Sequence, residues 1–234
     1  MKLFICGQKF FGRAVFDLAV SLGHEIVGVS APNNGSDRLM ISAKNASVKY
    51  IIEGGTLRAD IMPESIDLIV AAHSYDFISE KTLKKTKLGG IGFHPSLLPL
   101  HRGRDAIKWA LRMGDKVTGG SVYWLSKNVD GGAIASQDYC FIHRKDTADS
   151  LWREKIQPLG LRLIEKTLTD LSNGIIVAKK QNNQLATWEP SLDQEPIFRP
   201  DLPQIGGING YKFQELETSK NFNQRSYSFG GNVW

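Results

Sequence analysis

Short apolar runs alternate with longer mixed segments along the first hundred residues. The runs KLFIC, HEIVGVSA, VKYII, IDLIVAA and GGIGF predict buried strands. Between them, RAVFDLAVSLG with Gly23 at its end, the region near 37–47 and SEKTLKKT predict helices. This alternation predicts an α/β fold with a mostly parallel sheet and helices on both faces. Ligands of such sheets bind where the carboxyl ends of the strands release their loops.

The second half of the chain adds two helices and a hairpin to this pattern. DAIKWALRMGD predicts a helix, and TGGSVYWLS and GAIASQDYCFI predict two strands joined by the turn KNVDGG. A long helix follows, with Asp146 or Thr147 as its cap, Gly174 as its stop and a kink or break at Pro158. The hairpin is therefore expected to extend the parallel sheet.

Composition and charge narrow the class of protein. At 234 residues and 41% apolar content, the chain can bury a sizeable core, and its length suits one domain plus an extension or two small domains; we expect one domain over 1–177. Residues 178–234, rich in Pro, Gly, Asn and Gln, predict an irregular C-terminal extension. Two cysteines are too few for a disulfide framework or a metal cluster. With no membrane-length apolar run and no signal peptide, we expect a cytoplasmic protein without a membrane partner.

The net charge and the first glycine turn give little information about a ligand or partner. The charge of +5 favours anionic partners, but the Lys and Arg residues are scattered, which is typical of a solvated surface. The turn GQKFFG lacks both the Gly-Lys-Ser/Thr ending of a phosphate loop and the spacing of a dinucleotide fingerprint. It indicates a tight turn that lets helix and strand pack. A dinucleotide-dependent oxidoreductase ranks last, because no acidic residue ends GHEIVGVSAP.

Two ionisable residues follow predicted strands. His94 precedes Pro95 in a stretch that cannot be helical, and Pro99 closes that loop. Asp130 lies in NVDGG, where two glycines allow close backbone approach. Taken alone, the first is typical of a structural histidine and the second of a hairpin turn. Together they indicate an imidazole held by a carboxylate, which suits general acid–base chemistry near neutrality.

The strings HPSLLP, HRG, TGGSVYW and VDGGAI resemble the folate-dependent formyltransferase family over roughly the first 175 residues. Within that family the chain is most similar to the N-terminal hydrolase domain of 10-formyltetrahydrofolate dehydrogenase. The resemblance implies a Rossmann-like fold, N10-formyltetrahydrofolate as formyl donor and no metal. It also implies that His94 donates to the oxygen that gains negative charge, while Asp130 tunes His94 and helps to relay protons.

The resemblance further implies a folate-binding set around the two catalytic residues. Its members are Ser74, Phe77, Ile78, Gly92, Pro95, Ser96, Leu97, Leu98 and Arg102. Arg102 and Arg104 would attract an anionic acceptor or the glutamate tail of folate, although solvated arginines explain them equally well.

Two departures from the family pattern affect the expected reaction. Gly92 stands where most members carry an asparagine that donates to the oxyanion, and losing one such donor typically costs about 2.7–4 kcal/mol. The end of the chain is short for a complete OB-type barrel, so a tRNA acceptor ranks below a small molecule. We expect formyl transfer to a small amine, with an amino sugar as one candidate. Hydrolysis with water as acceptor, a catalytically weakened folate-binding protein and a homodimeric state stay open.

Overall fold

The structure is a computed structural model that describes residues 1–192, and 193–234 lie outside the described residues. The strands are β1 (Lys2–Gly7), β2 (Glu25–Ala31), β3 (Tyr50–Glu53), β4 (Thr56–Leu57), β5 (Leu68–Ala72), β6 (Phe77–Ile78), β7 (Gly90–His94), β8 (Arg102–Gly103), β9 (Val117–Trp124), β10 (Ile134–Phe141) and β11 (Trp188–Glu189). The helices are α1 (Lys9–Ser21), α2 (Arg38–Asn45), α3 (Glu80–Leu83), α4 (Ala106–Met113), α5 (Ala148–Ser150) and α6 (Gln157–Ser172). Short 3-10 helices cover Ala59–Ile61 and Asn183–Leu185, and a π-helix covers Leu151–Ile156.

A seven-stranded sheet runs through the described part of the chain in the order β10-β9-β7-β5-β1-β2-β3. The strands from β7 to β3 are parallel, and the β9–β10 hairpin joins the sheet antiparallel to β7. This confirms the predicted α/β class, the mostly parallel sheet and the added hairpin. The carboxyl ends of β1, β5 and β7 consequently meet at one edge.

The sheet is covered on both faces. Leu3 and Ile5 of β1 pack with apolar side chains of α1, α2 and α6. The alternate residues Phe4 and Cys6 face the other side, where side chains from α3 and its neighbouring loops cover them. Successive side chains of a strand point to opposite faces, so a strand buried on both sides carries a continuous apolar run.

Helix α1 begins at Lys9, four residues before the predicted start at Arg13. The turn GQKFFG therefore contributes the first turn of the helix. A Cβ on Gly7 would lie 2.3 Å from the carbonyl oxygen of Ala72, and one on Gly12 would lie 3.2 Å from the carbonyl carbon of Gly7. The two glycines thus let β1, α1 and β5 approach closely, which confirms their predicted packing role.

The long helix predicted over 147–174 is divided. Thr147 caps α5 in a capping box with Ser150, and Gly174 follows the end of α6 with a φ of +74°. Pro158 stands in the first turn of α6, directly after the π-helix. Proline lacks an amide hydrogen and clashes with the carbonyl four residues earlier, so an α-helix cannot continue through it undisturbed.

The described part of the predicted extension packs on the domain. Lys179 forms a β-bridge with Ile134, and β11 pairs in parallel with β8. The division of the chain at residue 177 stays a prediction. In the range 1–192, no helix is long and apolar enough to cross a membrane.

Candidate active site

A cavity of about 490 Å³ opens at the carboxyl ends of β5 and β7. Its aromatic wall is formed by Phe11, Phe93 and Trp152, whose ring centroids lie 5.1 to 6.5 Å apart. Most of the polar residues that line the cavity, with the glycines and the proline beside them, are His73, Ser74, Tyr75, Gly92, His94, Pro95, Gly103, Arg104, Lys108, Tyr123 and Asp130. An apolar, aromatic wall together with a small number of polar groups is typical of a small-molecule site.

The loop after β7 is fixed to the hairpin by hydrogen bonds. The Ser121 hydroxyl donates to the carbonyl of Ser96 at 2.7 Å and accepts from the amide of Leu98 at 3.1 Å. The Gln137 side-chain amide donates to the carbonyl of Leu98 at 2.9 Å. These buried contacts hold the loop in one conformation, so that His94 at its base has a defined position.

His94 is the last residue of β7, and its side chain is only 8% exposed. Its Nε2 lies 2.6 Å from the carbonyl oxygen of His101. A carbonyl can only accept, so Nε2 carries a hydrogen and donates. The other nitrogen, Nδ1, lies 3.5 Å from Oδ2 of Asp130. His94 can therefore exchange protons only through Nδ1, and a carboxylate stands beside that atom.

Asp130 lies in the turn between β9 and β10, with a φ of +49°. The turn is tight there, because a Cβ on Gly132 would lie 1.7 Å from the carbonyl oxygen of Trp124. The carboxylate accepts from the amide of Gly103 at 2.8 Å and from the hydroxyl of Tyr123 at 2.6 Å. Each oxygen thus has its own donor, and the predicted pairing of Asp130 with His94 is seen in the structure.

Tyr123 is a site residue that the sequence analysis missed. Burial, together with the charge and hydrogen bond of Asp130, raises the pKa of its phenol well above the usual value. The hydroxyl consequently stays protonated and acts as a donor. A signal was present: if the hairpin pairs antiparallel with GGIGF in the observed register, Tyr123 comes opposite Gly92, two residues before His94 and on the same face of the sheet.

Two further buried groups tie the site to the C-terminal segment. His101 places Nε2 2.8 Å from Asp115 Oδ2 and Nδ1 3.2 Å from Glu189 Oε2. Burial lowers the pKa of His101, but the interactions with Glu189 and Asp115 outweigh it, and the net shift is upward. Arg102 donates to the side chains of Gln181 and Asn183.

The structure brings five of the predicted site residues to the cavity. They are Ser74, Gly92, His94, Pro95 and Asp130. The other six do not line it. Phe77 is 67% exposed on β6, and Ile78 packs against the cluster that contains Phe4 and Cys6. Ser96, Leu97 and Leu98 belong to the loop after β7, and Arg102 faces the C-terminal segment. Arg104 lies at the cavity mouth, with its guanidinium 5.3 Å from the centroid of the Tyr75 ring. The roles of the predicted folate-binding residues as folate ligands stay predictions.

A second cavity of about 290 Å³ adjoins the first at Ser74 and Tyr75. Its polar side chains come from Gln8, Asn33, Glu53 and Asp76. Asp76 accepts hydrogen bonds from the amide of Gly55 and the hydroxyl of Ser74, and Asn33 donates to Glu53. Among residues 1–192, no three His, Cys, Asp or Glu side chains are grouped so that they could hold a metal ion.

Curated proteins similar to this chain include a 10-formyltetrahydrofolate dehydrogenase and a methionyl-tRNA formyltransferase. Mitochondrial 10-formyltetrahydrofolate dehydrogenase of Mus musculus is 31% identical over 201 residues, which cover 81% of this chain and 22% of that protein. Methionyl-tRNA formyltransferase of Enterococcus faecalis is 30% identical over 207 residues, which cover 83% of this chain and 66% of that protein. The chain thus spans less than a quarter of the length of the dehydrogenases it matches.

Solved structures of formyltransferases and a family model also match this chain. An N-formyltransferase from Helicobacter canadensis, in complex with folinic acid and dTDP-3-aminofucose, superposes with a TM-score of 0.69 at 17% identity, covering 83% of this chain and 72% of that one. Glycinamide ribonucleotide transformylase 1 from Symbiobacterium toebii superposes with a TM-score of 0.63 at 20% identity, covering 77% of this chain and 93% of that one. At these identities the likeness shows the fold. The model of the formyl transferase domain matches residues 39–166, more than half of the sequence, and the chain therefore belongs to the formyl transferase family.

Proposed function

We propose that this protein transfers the formyl group of N10-formyltetrahydrofolate to the amine of a small acceptor, and that an amino sugar is the class to test first. The observation that carries the proposal is the His94–Asp130 pair at the inner end of a ligand-sized cavity. Family membership supports formyl transfer as the reaction class. The folinic acid and the amino-sugar nucleotide named for the Helicobacter canadensis neighbour support this donor and this acceptor class.

The cavity residues fit a folate. Its volume of about 490 Å³ lies within the range of roughly 300–1,000 Å³ that small-molecule sites occupy. Phe11, Phe93 and Trp152 offer apolar faces to a flat ring system. Arg104 and Lys108 at the mouth suit the carboxylates of a glutamate tail. When bound, the folate supplies a formyl group on a nitrogen that can leave.

His94 and Asp130 supply the proton chemistry in this proposal. Because Nε2 donates to a backbone carbonyl, Nδ1 is the atom that takes up and releases a proton. The protonated form donates from Nδ1 toward an oxygen that gains negative charge, and the Asp130 carboxylate pairs with the imidazolium. The neutral form accepts the proton that an attacking amine loses.

The second cavity supports transfer over hydrolysis. It adjoins the first beside Ser74 and Tyr75, so an acceptor held there would reach the formyl group from the side of the β5 loop. The carboxylates of Glu53 and Asp76 and the amides of Gln8 and Asn33 suit a ligand that carries amine and hydroxyl groups. Water alone would need no second polar cavity.

The test is to incubate the protein with 10-formyltetrahydrofolate, with and without a panel of amino-sugar nucleotides, and to measure formamide product and free formate. We expect acceptor-dependent transfer and little formate without acceptor. Fast release of formate without any acceptor would overturn the transferase proposal in favour of a hydrolase. Folinic acid binding without any turnover would favour a binding protein.

The catalytic assignment is tested separately. His94→Ala is expected to lower kcat by about 10²- to 10⁴-fold, the usual contribution of a general acid–base residue. The exposed His143 provides the matched control, since His143→Ala leaves the cavity intact. Unchanged turnover in His94→Ala would show that the assignment is wrong.

A further inference from the structure

The ring of Tyr123 occupies the space beside Gly92. The two residues face each other in the antiparallel pairing of β7 with β9. A Cβ on Gly92 would lie 3.2 Å from Cε1 and Cζ of Tyr123 and 3.0 Å from Cδ2 of Leu125. These separations are shorter than ordinary van der Waals contacts between carbon atoms. A methyl group at position 92 would therefore press on the phenol ring in its present place, and the glycine leaves that place free.

From this position the phenol reaches the carboxylate of Asp130. The Tyr123 hydroxyl donates to Oδ1 at 2.6 Å, while the Gly103 amide donates to Oδ2 at 2.8 Å. The donors come from two different strands, β9 and β8, and each holds one oxygen. Rotation of the carboxylate would break at least one of these bonds, and Oδ2 consequently stays 3.5 Å from Nδ1 of His94.

We propose that Tyr123 is a positioning residue for the formyl transfer inferred above: its hydroxyl fixes Asp130 against His94, and Gly92 makes room for it. The expected effect of Tyr123 on the rate rests on the proposed function, whereas its effect on the positions of Asp130 and His94 does not. The hydroxyl keeps its proton because the phenol is buried against a carboxylate. It therefore acts by holding Asp130, without exchanging protons itself.

The test uses Tyr123→Phe, which keeps the ring and its packing and removes only the hydroxyl. A hydrogen bond to a charged group supports a loss in kcat of about tenfold to a hundredfold. We expect KM for 10-formyltetrahydrofolate to stay within about twofold, because Tyr123 holds a catalytic group and not the ligand.

A second measurement needs no turnover. The ¹⁵N chemical shifts of the His94 ring nitrogens in the free protein report the groups that surround them, with Asp130 Oδ2 3.5 Å from Nδ1. In Tyr123→Phe the Asp130 carboxylate loses the donor that fixes Oδ1. We therefore expect the Nδ1 signal to move in Tyr123→Phe, measured at the same pH as the wild type. Binding of folinic acid should be unchanged.

Tyr139 on β10 provides the matched control, because its side chain is exposed and Tyr139→Phe also removes one phenol hydroxyl. Gly92→Ala should also slow turnover, because its methyl group would press on the Tyr123 ring and shift it by a few tenths of an ångström away from its place beside Asp130. Wild-type kcat together with an unmoved His94 Nδ1 signal in Tyr123→Phe would overturn the proposal. If the wild type transfers no formyl group, the proposed function fails, and the His94 Nδ1 signal still decides the role of Tyr123.

Discussion

His101 joins the site to the end of the described chain, and its replacement is a demanding test of the electrostatics. Its two ring nitrogens face the carboxylates of Asp115 and Glu189 at 2.8 and 3.2 Å. The two carboxylates raise the pKa of His101, which favours the imidazolium. His101→Gln removes this charge and leaves the Glu189 side chain, which is 3% exposed, without a cation.

The expected destabilisation can be worked from burial. Removing one partner of a buried ion pair costs about 3–5 kcal/mol, because the remaining charge stays uncompensated. Asp115 is 31% exposed and can be hydrated, so we expect a value near the lower end, about 3 kcal/mol. At roughly 2–4 °C per kcal/mol for a chain of this size, Tm should fall by about 6–12 °C.

The sign of the pH dependence follows from the raised pKa of His101. A group whose pKa is higher in the folded than in the unfolded state stabilises the folded protein, and this contribution is complete below the unfolded-state pKa, which is 6.5 for histidine. That contribution is lost as the pH rises through the folded pKa. The difference in unfolding free energy between wild type and His101→Gln should therefore be larger at about pH 6 than at about pH 9.

Urea unfolding at the two pH values measures this difference. Subtracting the variant from the wild type removes the titration of groups that both proteins share. His143→Gln, which changes an exposed histidine, should show little difference at either pH. An equal difference at both pH values would refute the reasoning, because His101 would then not be held in its charged form.

Three further substitutions test the site and its frame. Asp130→Asn should lower kcat by about 10²- to 10⁴-fold in the transfer assay, because an amide neither pairs with the His94 imidazolium nor accepts two bonds as a carboxylate does. Gly132→Ala should lower the free energy of unfolding by at least about 3 kcal/mol in urea, because its Cβ would lie 1.7 Å from the Trp124 carbonyl oxygen. Ser121→Ala leaves two buried groups of the loop after β7 unpaired, and it should cost about 1–3 kcal/mol and raise KM for the formyl donor.

Much of the fold could be predicted, because each element is encoded locally. The central strands are apolar on both faces, and Pro158 marks the break in the long helix through its own chemistry. The start of α1 was placed too late because Gly12 was interpreted as part of a turn. In the structure it lies inside the helix, where its missing side chain is needed for packing on β1. A glycine required by a neighbouring element looks the same in sequence as one required by a turn.

The candidate site was predictable where strand ends determine it. His94 ends β7 and Asp130 follows β9, and adjacent strands bring them together. The other residues that line the cavity were less predictable, because the direction of a loop side chain depends on partners that are distant in sequence. Arg102 illustrates this: it lies eight residues from His94, yet it donates to Gln181 and Asn183, and those partners lie in a segment without periodicity.

The support of His94 extends beyond the residues that carry the family pattern. Its tautomer is set by the carbonyl of His101, whose side chain is held by Glu189 and whose amide donates to the hydroxyl of Thr187 at 2.7 Å. Both C-terminal partners lie outside the family match, which ends at residue 166. A shift of β11 would therefore move the His101 peptide group, and with it the atom that orients the imidazole. Within the described range 178–192, no side chain lines the cavity beside His94. These residues contact the site indirectly, through the His101 peptide group and through Gln181, which donates to the carbonyls of Asp130 and Gly132 at 2.8 and 2.6 Å.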